Sequence, residues 1–299
     1  MDDHRERVLD SAYNHVVLDP SRDVVTKTFR QGDVVSRYEN ELAALQEVPS
    51  YSRRCRVPTV LASGVNGQPW IKMRYLPAKG TLADLLEQEG VQGIRDNVAS
   101  YLHFMGEVHH STNGTQAIPE GLAQRIASYL EKYSEHIEPD LQGRVEQVST
   151  TLPEMAIARV HQDFKLKNML YDGEGPAGLL DWEHYGDGAM VYDPATLLVN
   201  TLIHLYAADR LPEADQLEEM FTDYLANHGP ETLHQVYIAA VARTLVEFSP
   251  VVKRQELGKR EDHRPFMNRL LRLTLDYAEQ PRELRQFLGD ASRLERNGS

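Results

Sequence analysis

Apolar residues recur along the chain with two different periods, and the change from one to the other falls near residue 80. Before it, the short β-branched runs at 15–18 and 24–29 flank Asp19-Pro20-Ser21-Arg22-Asp23, a turn-forming sequence, which predicts a hairpin. Residues 36–48 then set Tyr38, Leu42 and Leu45 at helical spacing, and 57–62 and 70–76 read as two further strands. The predicted order is β-β-α-β-β.

From Thr81 the pattern turns helical. Thr81-Leu82-Ala83-Asp84 has the form of a capped helix start, and Val98, Leu102, Met105 and Val108 mark one face of a longer helix ending near His110. Two more helices are expected at 120–136 and 140–152. Residues 156–180 break the pattern with three short apolar runs, at 157–160, 169–171 and 179–180. Helices resume at 191–207, 213–227, 231–248 and 264–278, with Pro212, Pro230, Pro250 and Pro265 near the breaks. The expected class is α+β, with a small β-rich unit at 1–77 and a larger, mostly helical one at 78–299.

A length of 299 residues can bury a sizeable core without covalent staples. Cys55, the single cysteine, cannot form an internal disulfide, and no Cys/His cluster has zinc spacing. The charged start, MDDHRERVLD, does not read as a secretory signal, and the most apolar stretch, 188–208, is interrupted by Asp193, Asn200 and His204. These features predict a cytoplasmic protein with no transmembrane segment. With 45 acidic against 32 basic side chains, a nucleic-acid partner of the usual basic kind is not expected. The acidity is uneven: residues 81–240 carry 26 acidic and 8 basic side chains. That excess is either the solvated face of many helices or a field that favours a cationic ligand.

The densest chemistry lies in Val160-His161-Gln162-Asp163-Phe164-Lys165-Leu166-Lys167-Asn168-Met169-Leu170, followed by Leu179-Leu180-Asp181-Trp182-Glu183. Phosphoryl transfer asks little covalent chemistry of a protein. It needs a carboxylate to orient the acceptor hydroxyl, ligands for magnesium, and fixed positive charge near the phosphates. Asp163 and Asn168, five residues apart, can serve the hydroxyl and a metal, and Asp181 adds a stronger metal ligand.

The H-x-D-x-x-x-x-N-x-L pattern, then L-D-W-E, Gly186-Asp187-Gly188 and Tyr192-Asp193-Pro194-Ala195, resembles the aminoglycoside phosphotransferase and choline kinase-like superfamily. The resemblance implies a bilobal protein kinase-like fold and transfer of the γ-phosphoryl group of ATP, with Mg2+, to a hydroxyl. It makes Asp163 the base, Asn168 and Asp181 the magnesium ligands, and His161 a loop brace; Lys165, at an offset where protein kinases rather than this family carry a lysine, is expected to contact the γ-phosphate. Lys27 would hold the nucleotide phosphates and pair with Glu41. Glu39 competes for that pairing, but Glu41 has the inward register, because Leu45 and Val48 follow it by four and seven residues. Adenine would lie against the strand joining the lobes, with Met73 flanking it and the backbone of Arg74 and Leu76 on its edge.

Two departures accompany the match. The turn expected to cover the phosphates, residues 9–14, has no glycine, leaving Ser11 and Asn14 as its polar contributors. Lys165 stands where protein kinases place a lysine, yet only a short segment separates Asp181 from Asp193, too little for a peptide-docking loop. The expected acceptor is thus a small molecule such as an amino sugar, a choline- or thiamine-like alcohol or a sugar. A cationic one would suit the acidity and the aromatic faces of Trp182, Tyr185 and Tyr192, unless those rings serve only as packing. A lipopolysaccharide-sugar or protein kinase, and a catalytically silent nucleotide-binding regulator, remain as alternatives.

Overall fold

The structure is a computed structural model that describes residues 7–10, 13–112, 114–229, 231–256 and 263–294. Five antiparallel strands open the chain: β1 (Arg7–Asp10), β2 (Asn14–Asp19), β3 (Val24–Phe29), then, after helix α1 (Val34–Tyr51), β4 (Val60–Gly64) and β5 (Trp70–Arg74). They form one sheet in the order β1-β2-β3-β5-β4. The predicted hairpin is β2–β3, and β1 is a strand that the pattern did not disclose.

Side-chain alternation puts Lys27 and Phe29 of β3 on its buried face. Helix α1 starts at Asp33, whose side chain accepts from the Ser36 amide. Its buried stripe is Arg37, Tyr38, Glu41, Ala44, Leu45 and Val48, so a strand lysine and two helix charges share one interior. Glu39 is exposed, which settles the register in favour of Glu41. Burial of three charges is tolerable only if they are paired.

Beyond β6 (Gly80–Thr81), helix α2 (Leu82–Glu89) carries the expected capping box between Thr81 and Asp84. Then follow α3 (Val91–Thr112), β7 (Gln116–Ala117), α4 (Glu120–Tyr133) and α5 (Pro139–Thr150). The irregular stretch becomes β8 (Met155–Val160), β9 (Met169–Tyr171), β10 (Pro176–Leu179) and β11 (Gly186–Ala189). These strands form two small sheets, β10-β9-β6 and β11-β8-β7. They grip the loop at 161–168 and the loop at 180–185, and the Leu180 amide donates to the Asn168 carbonyl at 2.9 Å to tie the two together.

Helices α6 (Tyr192–Ala207), α7 (Glu218–His228), α8 (Thr232–Glu256), α9 (Arg264–Glu279) and α10 (Leu284–Ala291) complete the fold. Residues 192–202 of α6 are all buried, so the most apolar stretch of the sequence is a central core helix packed on α8. Among the described residues no helix is long and apolar enough to cross a membrane. Two expectations shift. Helix α8 continues through Pro250 to Glu256 instead of stopping at 248, the packing of Phe248 and Val251 outweighing the amide that proline lacks. The predicted helix at 213–227 is split into a 3-10 segment, Leu211–Leu217, and α7.

Candidate active site

The loop between β8 and β9 is held from behind by Asp193, at the start of α6. Its carboxylate accepts the His161 amide at 2.9 Å, the Gln162 amide at 2.8 Å and a contact of 3.0 Å from His109 Nε2. Gln162 is thereby kept in left-handed backbone, φ 66°, a conformation that only a well-braced non-glycine residue adopts. His161 is fully buried. Its Nδ1 lies 3.2 Å from the Asp163 amide and accepts from it, so Nε2 carries the proton and donates to the Leu180 carbonyl at 2.9 Å. Burial lowers the pKa of this imidazole, in keeping with a neutral ring that braces both loops. Trp182, whose ring centroid is 4.4 Å from that of His161, is buried, as are Tyr185 and Tyr192; Trp182 and Tyr185 pack against each other, and the Tyr192 ring lies under the Arg125 guanidinium.

Asp163 emerges from this frame between two cations. Lys165 Nζ is 2.5 Å from Oδ2, and Arg243 Nη2, from α8, is 3.4 Å from Oδ1. Burial alone would raise the Asp163 pKa, but Arg243 and then Lys165 outweigh it and hold the carboxyl below its ordinary value. Arg243 is itself buried and also pairs with Glu247. Asn168 donates its amide nitrogen to the Asp163 carbonyl at 2.9 Å and to Oδ2 at 3.2 Å. That leaves the Asn168 side-chain oxygen as the atom it can offer to a cation.

On the sheet side, Lys27 Nζ meets three carboxylates: Glu41 at 2.6 Å, Asp181 at 2.7 Å and Glu183 at 3.0 Å. The expected Lys27–Glu41 pair is present, and 154 residues of chain separate Lys27 from Asp181. Asp181 also has left-handed backbone, φ 64°, which aspartate tolerates better than most side chains. Burial opposes its charge, but Lys27 and Lys165 prevail and its pKa falls well below the usual carboxylate range. Burial pushes the Glu41 carboxyl up, and Asp181 and Glu183 add to that push against the pull of Lys27.

Glu41, Asp181 and Glu183 bring ligand oxygens within 4.8 Å of one another. Glu183 Oε2 is already crowded by donors: Asn14 Nδ2 at 2.8 Å, Arg37 Nη2 at 2.7 Å and Lys27. Asp181, Asn168 and Glu41 each keep a side-chain oxygen with no hydrogen-bond partner among the described residues, and an all-oxygen, hard donor set suits magnesium. Glu183 instead ties the start of β2 and helix α1 to the loop after β10. Asn14 is therefore buried in an internal network, while Ser11 lies outside the described residues.

Where β5 leaves the sheet, Met73 is buried and the Arg74 amide already donates to the Thr59 carbonyl at 2.8 Å. Leu76 lies against the strand that carries Gly178. Lys165, expected on a phosphate, is on Asp163. A cleft of about 520 Å³ opens over the assembled group, lined by Asp163, Lys165, Asp181, Glu183, Arg125 and Arg243 among others.

Sequence reasoning passed over Arg37, Arg243 and Arg125, and quoted Glu183 and Asp193 without giving them a role. A signal existed for two of them. Arg37 precedes Glu41 by one helical turn on the inward stripe, and Arg243 interrupts the apolar run 236–246. The acidity proves to be dispersed: of the 26 acidic side chains in 81–240, Asp163, Asp181 and Glu183 line the cleft, whereas Glu107, Glu138, Asp140 and Glu219 pair with surface arginines.

Residues 8–232 match the sequence profile of the APH phosphotransferase enzyme family. No curated protein matches the sequence. Among solved structures, a choline/ethanolamine kinase family protein from Mesorhizobium loti superposes with TM-score 0.62 at 18% identity, covering 98% of this chain and 94% of its own. A thermostable mutant of aminoglycoside phosphotransferase APH(4)-Ia, in ternary complex with AMP-PNP and hygromycin B, gives 0.63 at 14% identity over 93% and 95%. The GDP complex of aminoglycoside 2'-phosphotransferase-IIIa gives 0.59 at 13% over 91% and 92%. At these identities the likeness establishes the kinase-like fold. Together with the profile match over most of its length, it follows that the chain belongs to the APH phosphotransferase enzyme family.

Proposed function

We propose that the protein transfers the γ-phosphoryl group of ATP to a hydroxyl of a small molecule. The observation that carries this reading is that Asp181 and Asp163 line one cleft while the buried Lys27–Glu41 pair meets Asp181 from behind, the groups coming from segments far apart in the chain. Residues 1–77 would hold the nucleotide, and residues 78–299 the base and the acceptor. Asp163, kept ionised by Arg243 and Lys165, accepts a hydrogen bond from the acceptor hydroxyl and takes its proton. In that step the hydroxyl oxygen bonds to the γ-phosphorus and the bridging bond to ADP breaks. Asn168 and Asp181 would hold magnesium, which when bound neutralises phosphate charge. Lys27 lies on Asp181, ready to exchange carboxylate contacts for phosphate oxygens. Met73 would flank the base. With the Arg74 amide committed to Thr59, the Leu76 amide is the better candidate for its edge.

A small acceptor is favoured over a peptide because the chain between Asp181 and Asp193 includes β11, hydrogen-bonded to β8. The structural relatives include aminoglycoside phosphotransferases, one of them holding hygromycin B beside a nucleotide analogue, which supports a small-molecule alcohol as the substrate class. Release of ADP, followed with magnesium and ATP across alcohols, amino sugars and a generic protein substrate, tests the reading. Turnover should depend on one class of small alcohol and disappear in Asp181→Ala. Turnover unchanged by that substitution sinks the assignment, and nucleotide binding without turnover on any substrate favours the silent regulator.

A further inference from the structure

A second cavity, of about 440 Å³, adjoins the catalytic cleft between α4, β8 and β11. Its size suits a small molecule. The two cavities share Arg125 and Gln162, which stand where one borders the other, and Gln162 immediately precedes Asp163. Its walls are largely apolar, built from Ile118, Leu122, Ile157 and Val160. Ile118 is 58% exposed, a large apolar side chain left uncovered at the mouth.

The inner end is different. Arg125 Nη2 donates to Gln162 Oε1 at 2.5 Å, and its guanidinium stands 4.7 Å over the Tyr192 ring. Both partners are neutral, and among the described residues no carboxylate pairs with Arg125. The other cations of the cleft are spoken for: Lys165 by Asp163, and Arg243 by Asp163 and Glu247. The buried Tyr192 hydroxyl, at the same end, has no hydrogen-bond partner among the described residues. Two acids also line this cavity, but both are exposed: Glu120, and Asp187, which pairs with Arg159 at 3.5 Å. A planar guanidinium with only neutral partners is suited to a carboxylate.

We infer that the acceptor is a hydroxy acid: its apolar chain lies in the α4–β11 groove, its carboxylate pairs with Arg125, and its hydroxyl reaches Asp163. This rests on the phosphotransferase reading and reverses the sign of acceptor that composition suggested. Arg125 is then a specificity residue, held in place by Gln162 and, behind it, Asp193.

The test uses ω-hydroxyhexanoate, its primary amide and the matching amino alcohol. Binding to the full-length protein with magnesium and AMP-PNP is measured by calorimetry, and ADP release is measured with ATP. The acid should bind about 10- to 100-fold more tightly than the amide, the range of a charge-assisted hydrogen bond. Arg125→Gln should erase that advantage with KM for ATP unchanged, and Arg125→Lys should restore part of it. The inference falls if the amide or amino alcohol binds as well as the acid, if no probe binds, or if the acid keeps its advantage in Arg125→Gln. It also falls if Arg125→Gln raises only KM for ATP. Acid-selective binding lost in Arg125→Gln, but with no ADP release from any probe, upholds the carboxylate site and overturns the phosphotransfer reading. Release with the amino alcohol alone does the reverse.

Discussion

Two sides of one cleft carry opposite imbalances of charge. On the sheet side, Lys27 and Arg37 face Glu41, Asp181 and Glu183. On the helical side, Lys165, Arg243 and Arg125 stand around Asp163 and Glu247. The same kind of group consequently behaves differently: Glu41 is pushed up by burial and neighbouring anions, and Asp163 is held down by cations despite its burial. An excess of carboxylates suits a divalent cation, and an excess of cations holds one carboxyl below its ordinary pKa and suits an anion. Local imbalance, not the net charge of the chain, decides what each side can bind.

The severest way to break this comparison is to remove the anion that the cations serve. Asp163→Asn should lower kcat by about 10²- to 10⁴-fold, the usual contribution of a positioned base, with little change in nucleotide affinity. Parallel measurement of ADP release and nucleotide binding checks both halves. Loss of binding together with turnover would mean that Asp163 belongs to the sheet side.

Next comes Lys27→Met, which leaves Glu41 and Asp181 beside an apolar side chain without the cation they share, while Glu183 keeps Arg37. Uncompensated buried charge should cost about 3–5 kcal/mol of folding stability, read from urea unfolding at neutral pH. Adding Glu41→Gln should recover part of the loss. A Lys27→Met protein as stable as the parent would show that the carboxylates are not interacting as a set.

Arg243→Met acts on the other side with a smaller effect and a definite sign. Without its guanidinium, the Asp163 pKa should rise, and the acid limb of the kcat/KM profile should move to higher pH. Stability follows the same linkage. A carboxyl whose folded pKa lies below its unfolded value contributes fully above the ordinary carboxylate range, and that contribution fades as pH falls through the folded value. A profile that does not move would assign the depression to Lys165 alone.

The smallest effect is expected where acidity has nothing to do with the cleft. Arg272 joins Glu138 at 2.5 Å and Asp140 at 2.7 Å, all three well exposed. Arg272→Ala should shift stability by less than about 1 kcal/mol and leave turnover untouched. A fall in ADP release would show that the surface charge of the helical region reaches the site after all.

Much of this is legible in the sequence. The alternation of β3 and the turn at 19–23 gave the hairpin, the spacing in α1 selected Glu41 over Glu39, and Thr81 and Asp84 announced α2. Short strands were harder: β6, β7 and β11 have two to four residues, too few for a period to show. The acidic excess of 81–240 was legible as a number but not as a place, because helices carry acids on every exposed face.

The chain itself determined the groups whose chemistry depends on neighbours along it. Asp163, Lys165 and Asn168 share one braced loop, and Asp181 and Glu183 share another, so spacing alone specifies which atoms can converge. Packing decided the rest. Arg37, Arg125 and Arg243 come from three helices, and only the burial of apolar stripes on α1, α4 and α8 brings Arg125 and Arg243 to the cleft and Arg37 to Glu183 behind it. The sign of charge that a site offers is a sum over distances in space, and those distances exist only once the helices have packed.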